Sequence, residues 1–124
     1  MKTIKHIFDK FISDENIKLA FENYAKGRSS YRLVRLYRRN PAKAVRLVKE
    51  YISRPRNDEH YARWIFDTSS HKERLVVRPT SKEQVLHNMV VNIFREVYMP
   101  KFYAHSYCSI PGRGCLKGMK TLTK

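Results

Sequence analysis

The sequence predicts an α+β protein, and three observations carry that prediction. Apolar residues recur at helical spacing over the first half of the chain. Two short runs rich in aromatic and β-branched residues follow, joined by a polar linker. A strong helix start with a wide apolar stripe comes directly after them. At 124 residues the chain has the length of one domain, or of part of a larger one, and can bury a modest core.

Ile4, Ile7, Phe8, Phe11 and Ile12 fall on one face of a first helix. Ser13 or Asp14 caps a second, whose stripe is Ile17, Ala20, Phe21 and Tyr24, and Gly27 ends it. Ser29 and Ser30 open a third helix bearing Leu33, Val34 and Tyr37. Asn40-Pro41 supplies an N-cap and a proline at the first helical position. The helix it starts carries Ala44, Val45, Val48, Tyr51 and Ile52, until Ser53 to Asp58 breaks it.

"YARWIFD" and "RLVVRP" then read as a β-hairpin with a long basic tip, or as two neighbouring strands, joined by Thr68 to Glu73. Ser81 with Gln84 makes a capping box. The long helix it opens carries Val85, Leu86, Met89, Val90, Ile93, Phe94 and Val97, a stripe expected in the core. Met99-Pro100 stops that helix. A short aromatic stretch and a Gly-rich loop follow, and Lys117 to Lys124 begins another helix.

Charge narrows the function. The formal net charge is +15 and the pI about 10.1, which favours a polyanionic partner, most simply nucleic acid. From Arg28 to Arg56, ten Lys and Arg stand against Glu50 alone, more than solubility requires. Arg35, Arg38 and Arg39 in this stretch are candidates for phosphate-backbone contacts. No run approaches the ~18 apolar residues of a membrane span. The N-terminus has acids among its lysines and no small-residue cleavage site, so it reads as mature protein. Two cysteines, Cys108 and Cys115, suit a reducing, cytoplasmic compartment, and with five scattered histidines they make no zinc site.

Two further groups carry possible chemistry. Lys72, Arg74 and Arg78 lie on or beside the hairpin tip, and Arg74 and Arg78, four apart on a strand, share a face. Cations so placed clamp a triphosphate or a nucleic-acid backbone. Gly112-Arg113-Gly114 lets backbone N–H groups approach a phosphate, with Arg113 adding a bidentate contact. It is not a Walker A loop, because no Lys-Ser or Lys-Thr follows at the required spacing. None of the eleven acids forms the Asp constellation that two metal ions need for nucleotidyl transfer, and no nucleophile-elbow pattern is present. No catalytic residue, metal ligand or cofactor is therefore expected in this chain.

With those residues in hand, the chain resembles the N-terminal fingers region of a reverse transcriptase, nearest to the group II intron, retron and diversity-generating retroelement enzymes of bacteria and phage. The resemblance is best from Tyr61 to about Leu122. In "HKERLVVRP", Arg74 resembles the family's arginine that holds the incoming nucleotide's triphosphate, with Lys72 its helper and Pro79 the family's closing proline. Glu83 and Gln84 stand where an Asp-Arg pair is usual, a departure from the pattern. The block "HSYCSIPGRG" resembles the family's Gly-rich loop near template and primer, which gives Ser106, Gly112, Arg113 and Gly114 that role.

The resemblance implies a partial right-hand polymerase fold with a fingers-type hairpin and no palm. It implies a basic helical region over residues 1–60 and a fingers region over residues 61–124. The implied partners are an RNA template, an RNA or DNA primer, an incoming deoxynucleotide, and a palm and thumb portion carrying the catalytic aspartates with Mg²⁺. The chain is thus expected to be a fragment of an RNA-directed DNA polymerase, inactive alone. Two other readings stand beside it: a nucleic-acid-binding module without catalysis, which needs only the charge, and a helical protein-interaction domain.

Overall fold

Three helices start where the sequence places a side-chain oxygen to receive their unpaired N–H groups. Ser13 accepts from Asn16 N at 3.2 Å, Asn40 from Lys43 N at 2.9 Å, and Thr80 Oγ1 from Glu83 N at 3.3 Å. The computed structural model describes residues 5–54, 60–103, 106, 107, 110 and 112–122. Among them, in chain order, are α1 (Ile7–Phe11), α2 (Asp14–Ala25), α3 (Arg32–Arg39), α4 (Pro41–Ser53), β1 (Tyr61–Asp67), β2 (Lys72–Arg78), α5 (Ser81–Tyr98) and α6 (Cys115–Leu122). A 3₁₀ turn, Met99–Lys101, follows α5 where Pro100 removes a helical donor. The fold is α+β: helices with one two-stranded antiparallel sheet.

Packing groups the chain into two units, Met1–Ile93 and Phe94–Lys124, and α5 runs from the first into the second. The change in composition near residue 60 lies inside the first unit. The core of that unit is built from Ile17, Ala20, Phe21 and Tyr24 of α2, Val34 of α3, Ala44 and Val48 of α4, and Val85 and Met89 of α5. Each large side chain buried this fully contributes ~1.5–3 kcal/mol before entropy is counted. Tyr37 stacks flat on Phe21 with ring centroids 4.4 Å apart, and burial beside Glu22 pushes its phenol above the usual range.

A buried polar chain fixes α2 against α5. Asn16 Nδ2 donates to Phe11 O at 2.9 Å and to Met89 O at 3.3 Å, while its Oδ1 accepts from Asn92 Nδ2 at 3.0 Å. Asn23 Nδ2 extends the chain by donating to Asn92 Oδ1 at 3.2 Å. Within the second unit, the rings of Phe94 and Tyr98 stack at 5.3 Å, and Gly118 of α6 lies against Tyr107. A Cβ at Gly118 would stand 3.1 Å from that ring, too close for ordinary contact.

Several expected details differ. α5 starts at Ser81 with Thr80 as its cap, and Gln84 reaches Pro79 O at 2.9 Å instead of closing a box with Ser81. α3 begins after Tyr31, and Ser29-Ser30 belong to the turn before it. α1 is short and buries none of its residues, with Ile7 and Phe8 exposed; Ile4 lies outside the described residues. Only part of the α5 stripe is core: Val85, Met89 and Ile93 are buried, whereas Val90 and Phe94 are exposed. α6 begins two residues earlier than expected, at Cys115. Residues 55–59, which the sequence reads as the break after α4, lie outside the described residues.

Candidate nucleic-acid interface

Strand register decides what the hairpin shows to each side. Tyr61 pairs with Arg78, Arg63 with Val76, Ile65 with Arg74, and Asp67 with Lys72. Paired residues share a face and successive residues along a strand do not. One face therefore carries Arg63, Lys72, Arg74 and Arg78 with Tyr61, Ile65, Asp67 and Val76. The other carries Ala62, Trp64, Phe66, Leu75 and Val77 with Glu73, and Trp64, Phe66, Leu75 and Val77 are exposed.

The four cations of the basic face differ in their bonds. Arg74 Nη2 pairs with Asp67 Oδ2 at 3.0 Å and donates to Ser70 Oγ at 3.1 Å. Asp67 is itself tied to the turn by the Ser69 hydroxyl at 2.6 Å and the Ser70 hydroxyl at 2.8 Å. Those serine bonds hold its carboxyl below the usual carboxylate range. Arg78 Nη2 donates to the Tyr31 hydroxyl, and its guanidinium lies 5.5 Å from that ring's centre. Lys72 and Arg63 make no ion pair among the described residues.

Beside this face lies a pocket of about 470 Å³, lined by Arg28, Tyr31, Tyr61, Arg63, Arg78 and Gln84 among others. It combines three guanidinium groups with two phenol rings. Arg28 is held over Tyr24, 5.1 Å from its ring centre, and donates to Tyr24 O at 3.0 Å. The arrangement suits phosphate oxygens with a base or sugar against a ring.

A second, larger groove of about 790 Å³ runs between α3, α4 and the start of α5. Arg32, Arg35 and Arg39 of α3 line it at i, i+3 and i+7, Lys43 faces them from α4, and Lys82 adds a further cation at the α5 start. Leu33, Leu36 and Leu47 also line it. Arg38, expected with Arg35 and Arg39, is not among the lining residues. Two other cations of the basic stretch are spent on ion pairs: Lys49 with Asp14 at 2.6 Å and Arg46 with Glu50 at 3.7 Å. Lys49 holds the Asp14 carboxyl below its usual range.

In the second unit, Gly112 adopts φ 74°, and Arg113 N bonds back to Ile110 O at 2.9 Å to close a tight turn. The Arg113 side chain donates to Tyr103 O at 2.9 Å. Gly114 precedes α6, and Ser106 is half-buried with its N–H bonded to Tyr103 O at 3.0 Å. Arg113 is thus a loop-closing residue as it stands, and a ligand would have to share it. Cys115 is exposed and unpaired, and Cys108 lies outside the described residues.

Sequence reasoning did not single out Arg63, Tyr31 or Tyr61 for a site. The signal was present for two of them: once the two strand runs are paired about Thr68–His71, Arg63 and Tyr61 fall on the face of Arg74 and Arg78. Tyr31 was hidden because its role depends on the tertiary approach of α3 to the hairpin. Comparisons with protein-family models, with curated proteins and with solved structures find no match.

Proposed function

We propose that the chain binds nucleic acid through the basic face of its hairpin, in the manner of the fingers region of a reverse transcriptase. The observation that supports this reading is the pocket in which Arg28, Arg63 and Arg78 surround Tyr31 and Tyr61. Guanidinium groups take phosphate oxygens in bidentate fashion, and phenol rings take the flat face of a base. In this reading Lys72 and Arg74 meet the triphosphate of an incoming deoxynucleotide. Arg113, with Gly112, Gly114 and Ser106, meets an RNA template and its RNA or DNA primer. Asp67 holds Arg74 until a triphosphate displaces it, so nucleotide entry exchanges one anionic partner for another.

The residues described here do not fit the Mg²⁺ pair that such an enzyme uses. Their acids are spread over separate pairs, Asp14 with Lys49, Asp67 with Arg74 and Glu83 with His60, and no three converge among the described residues. The role proposed for the chain is binding and orientation, with metal chemistry belonging to a palm portion.

Filter binding of a labelled RNA template–DNA primer across a salt series tests the reading. Binding should weaken with log K falling by ~0.7–0.9 per phosphate contacted. The Arg63→Ala, Arg78→Ala pair should lower that slope by about 1.4 to 1.8. A flat salt response of the parent chain overturns nucleic-acid binding altogether. With a palm portion supplied in trans, Arg74→Ala should raise KM for the deoxynucleotide and leave template–primer affinity nearly unchanged. Equal effects on both would overturn the fingers assignment.

A further inference from the structure

The groove between α3, α4 and the α5 start differs in kind from the hairpin pocket. Both are basic, but the hairpin pocket is lined by tyrosines and the groove by leucines. No aromatic ring is among the residues lining the groove, so a nucleic-acid base gains no stacking there. A duplex rests on its phosphates and does not reach an aliphatic floor. Leucines flanked by cations complement an opposite pattern: an apolar stripe flanked by carboxylates.

We infer that this groove docks an acidic amphipathic helix of a partner protein, which seats its apolar stripe on the half-buried Leu36 and Leu47, while Leu33 belongs to the core. Charge complementarity sets the occupant. Arg32, Arg35 and Arg39 run along one wall and Lys43 stands on the other, with no acid lining the groove. Leu47 is half-buried and outside the core cluster, so its side chain is available to a ligand. Helix-in-groove recognition reads such a partner through apolar anchors at i, i+3, i+4 and i+7. Arg35 and Arg39, which composition alone assigns to phosphates, here steer and align a protein.

The probe is a synthetic helical peptide with leucines at i, i+3, i+4 and i+7 and glutamates on both flanks. Its comparator has the same composition with the stripe scrambled. Calorimetric titration of the full chain should show the striped peptide binding at least about tenfold tighter, since only it buries aligned leucines. Leu47→Ser should remove most of that preference, and thermal unfolding monitored by circular dichroism verifies that the variant folds. The Arg35→Glu, Lys43→Glu pair, both at exposed positions, should weaken the striped peptide by about tenfold or more through charge reversal. Equal binding of striped and scrambled peptides overturns the inference. So does a Leu47→Ser or Arg35→Glu, Lys43→Glu chain that binds the striped peptide as the parent does. Loss of template–primer binding in the charge-reversed pair, with the peptide unaffected, would return the groove to nucleic acid. Failure of the parent chain to bind template–primer would count against the proposed function alone.

Discussion

Replacing Asn16 with Ala should cost the first unit about 2–3 kcal/mol of stability. The side chain is 7% exposed and makes three hydrogen bonds, at 2.9, 3.3 and 3.0 Å, to Phe11 O, Met89 O and Asn92 Nδ2. At a net ~0.5–1.5 kcal/mol each, these bonds total about 3 kcal/mol. Alanine's better helix propensity returns ~0.5 kcal/mol at a helical position. Urea unfolding measures the difference as a lower midpoint at unchanged slope. Asn23→Ala is the internal comparison, because it removes one link to α5 and leaves Asn16 and Asn92 joined. After the same helix-propensity return it should cost about 0–1 kcal/mol. The Asn16, Asn92 double-mutant cycle should give a coupling of about 1 kcal/mol, the energy of their shared bond. If Asn16→Ala costs no more than Asn23→Ala, the buried amide chain does not hold α2 to α5 and the reasoning fails.

Three other outcomes are expected. Asp67→Asn releases Arg74 from its carboxylate, so with a palm portion supplied in trans the KM for the deoxynucleotide should fall; an unchanged KM counts against Arg74 as a triphosphate ligand. The Asp67 carboxyl titrates below the ordinary carboxylate value, so its contribution is complete above that value and lost as pH falls through the depressed one. The Ser69 amide signal, followed by NMR on acidification, should therefore hold until other exposed carboxylates are already protonated, and a change in step with them would sink the assignment. The Tyr24 hydroxyl is buried with no hydrogen-bond partner among the described residues, so Tyr24→Phe should keep stability or raise it by ~1 kcal/mol; a clear loss in urea unfolding would show that the hydroxyl is satisfied.

Much of the fold was legible because local signals and tertiary packing agree. Asn40-Pro41 starts α4 and Ser13 caps α2, each by a side-chain bond confined to its own turn. The hairpin was legible in its two strand runs, and its antiparallel register puts Arg74 and Arg78 on one face as expected. What sequence could not show depends on partners distant in the chain. Asn16 reads as an ordinary helical polar residue, yet its bond to Met89 O spans 73 positions. The α5 stripe reads as uniformly core, but burial needs an opposing surface, and Val90 and Phe94 remain exposed. The site was legible as charge and not as geometry. A run of arginines does not say which line a groove, which lie over a tyrosine and which pair with an acid.

The chain's only tryptophan, Trp64, is 68% exposed on the apolar side of the hairpin, opposite Leu75 in the register. Its indole already sits in water when the protein is folded. Intrinsic emission excited at the indole band would therefore report almost nothing of the melting of the helical core, even though Phe21, Tyr24 and Met89 lose their packing. The same indole would respond strongly, by a blue shift and reduced quenching by iodide, to any surface that comes to lie on that side of the ribbon. A silent melt and a loud association are what this one residue's position dictates.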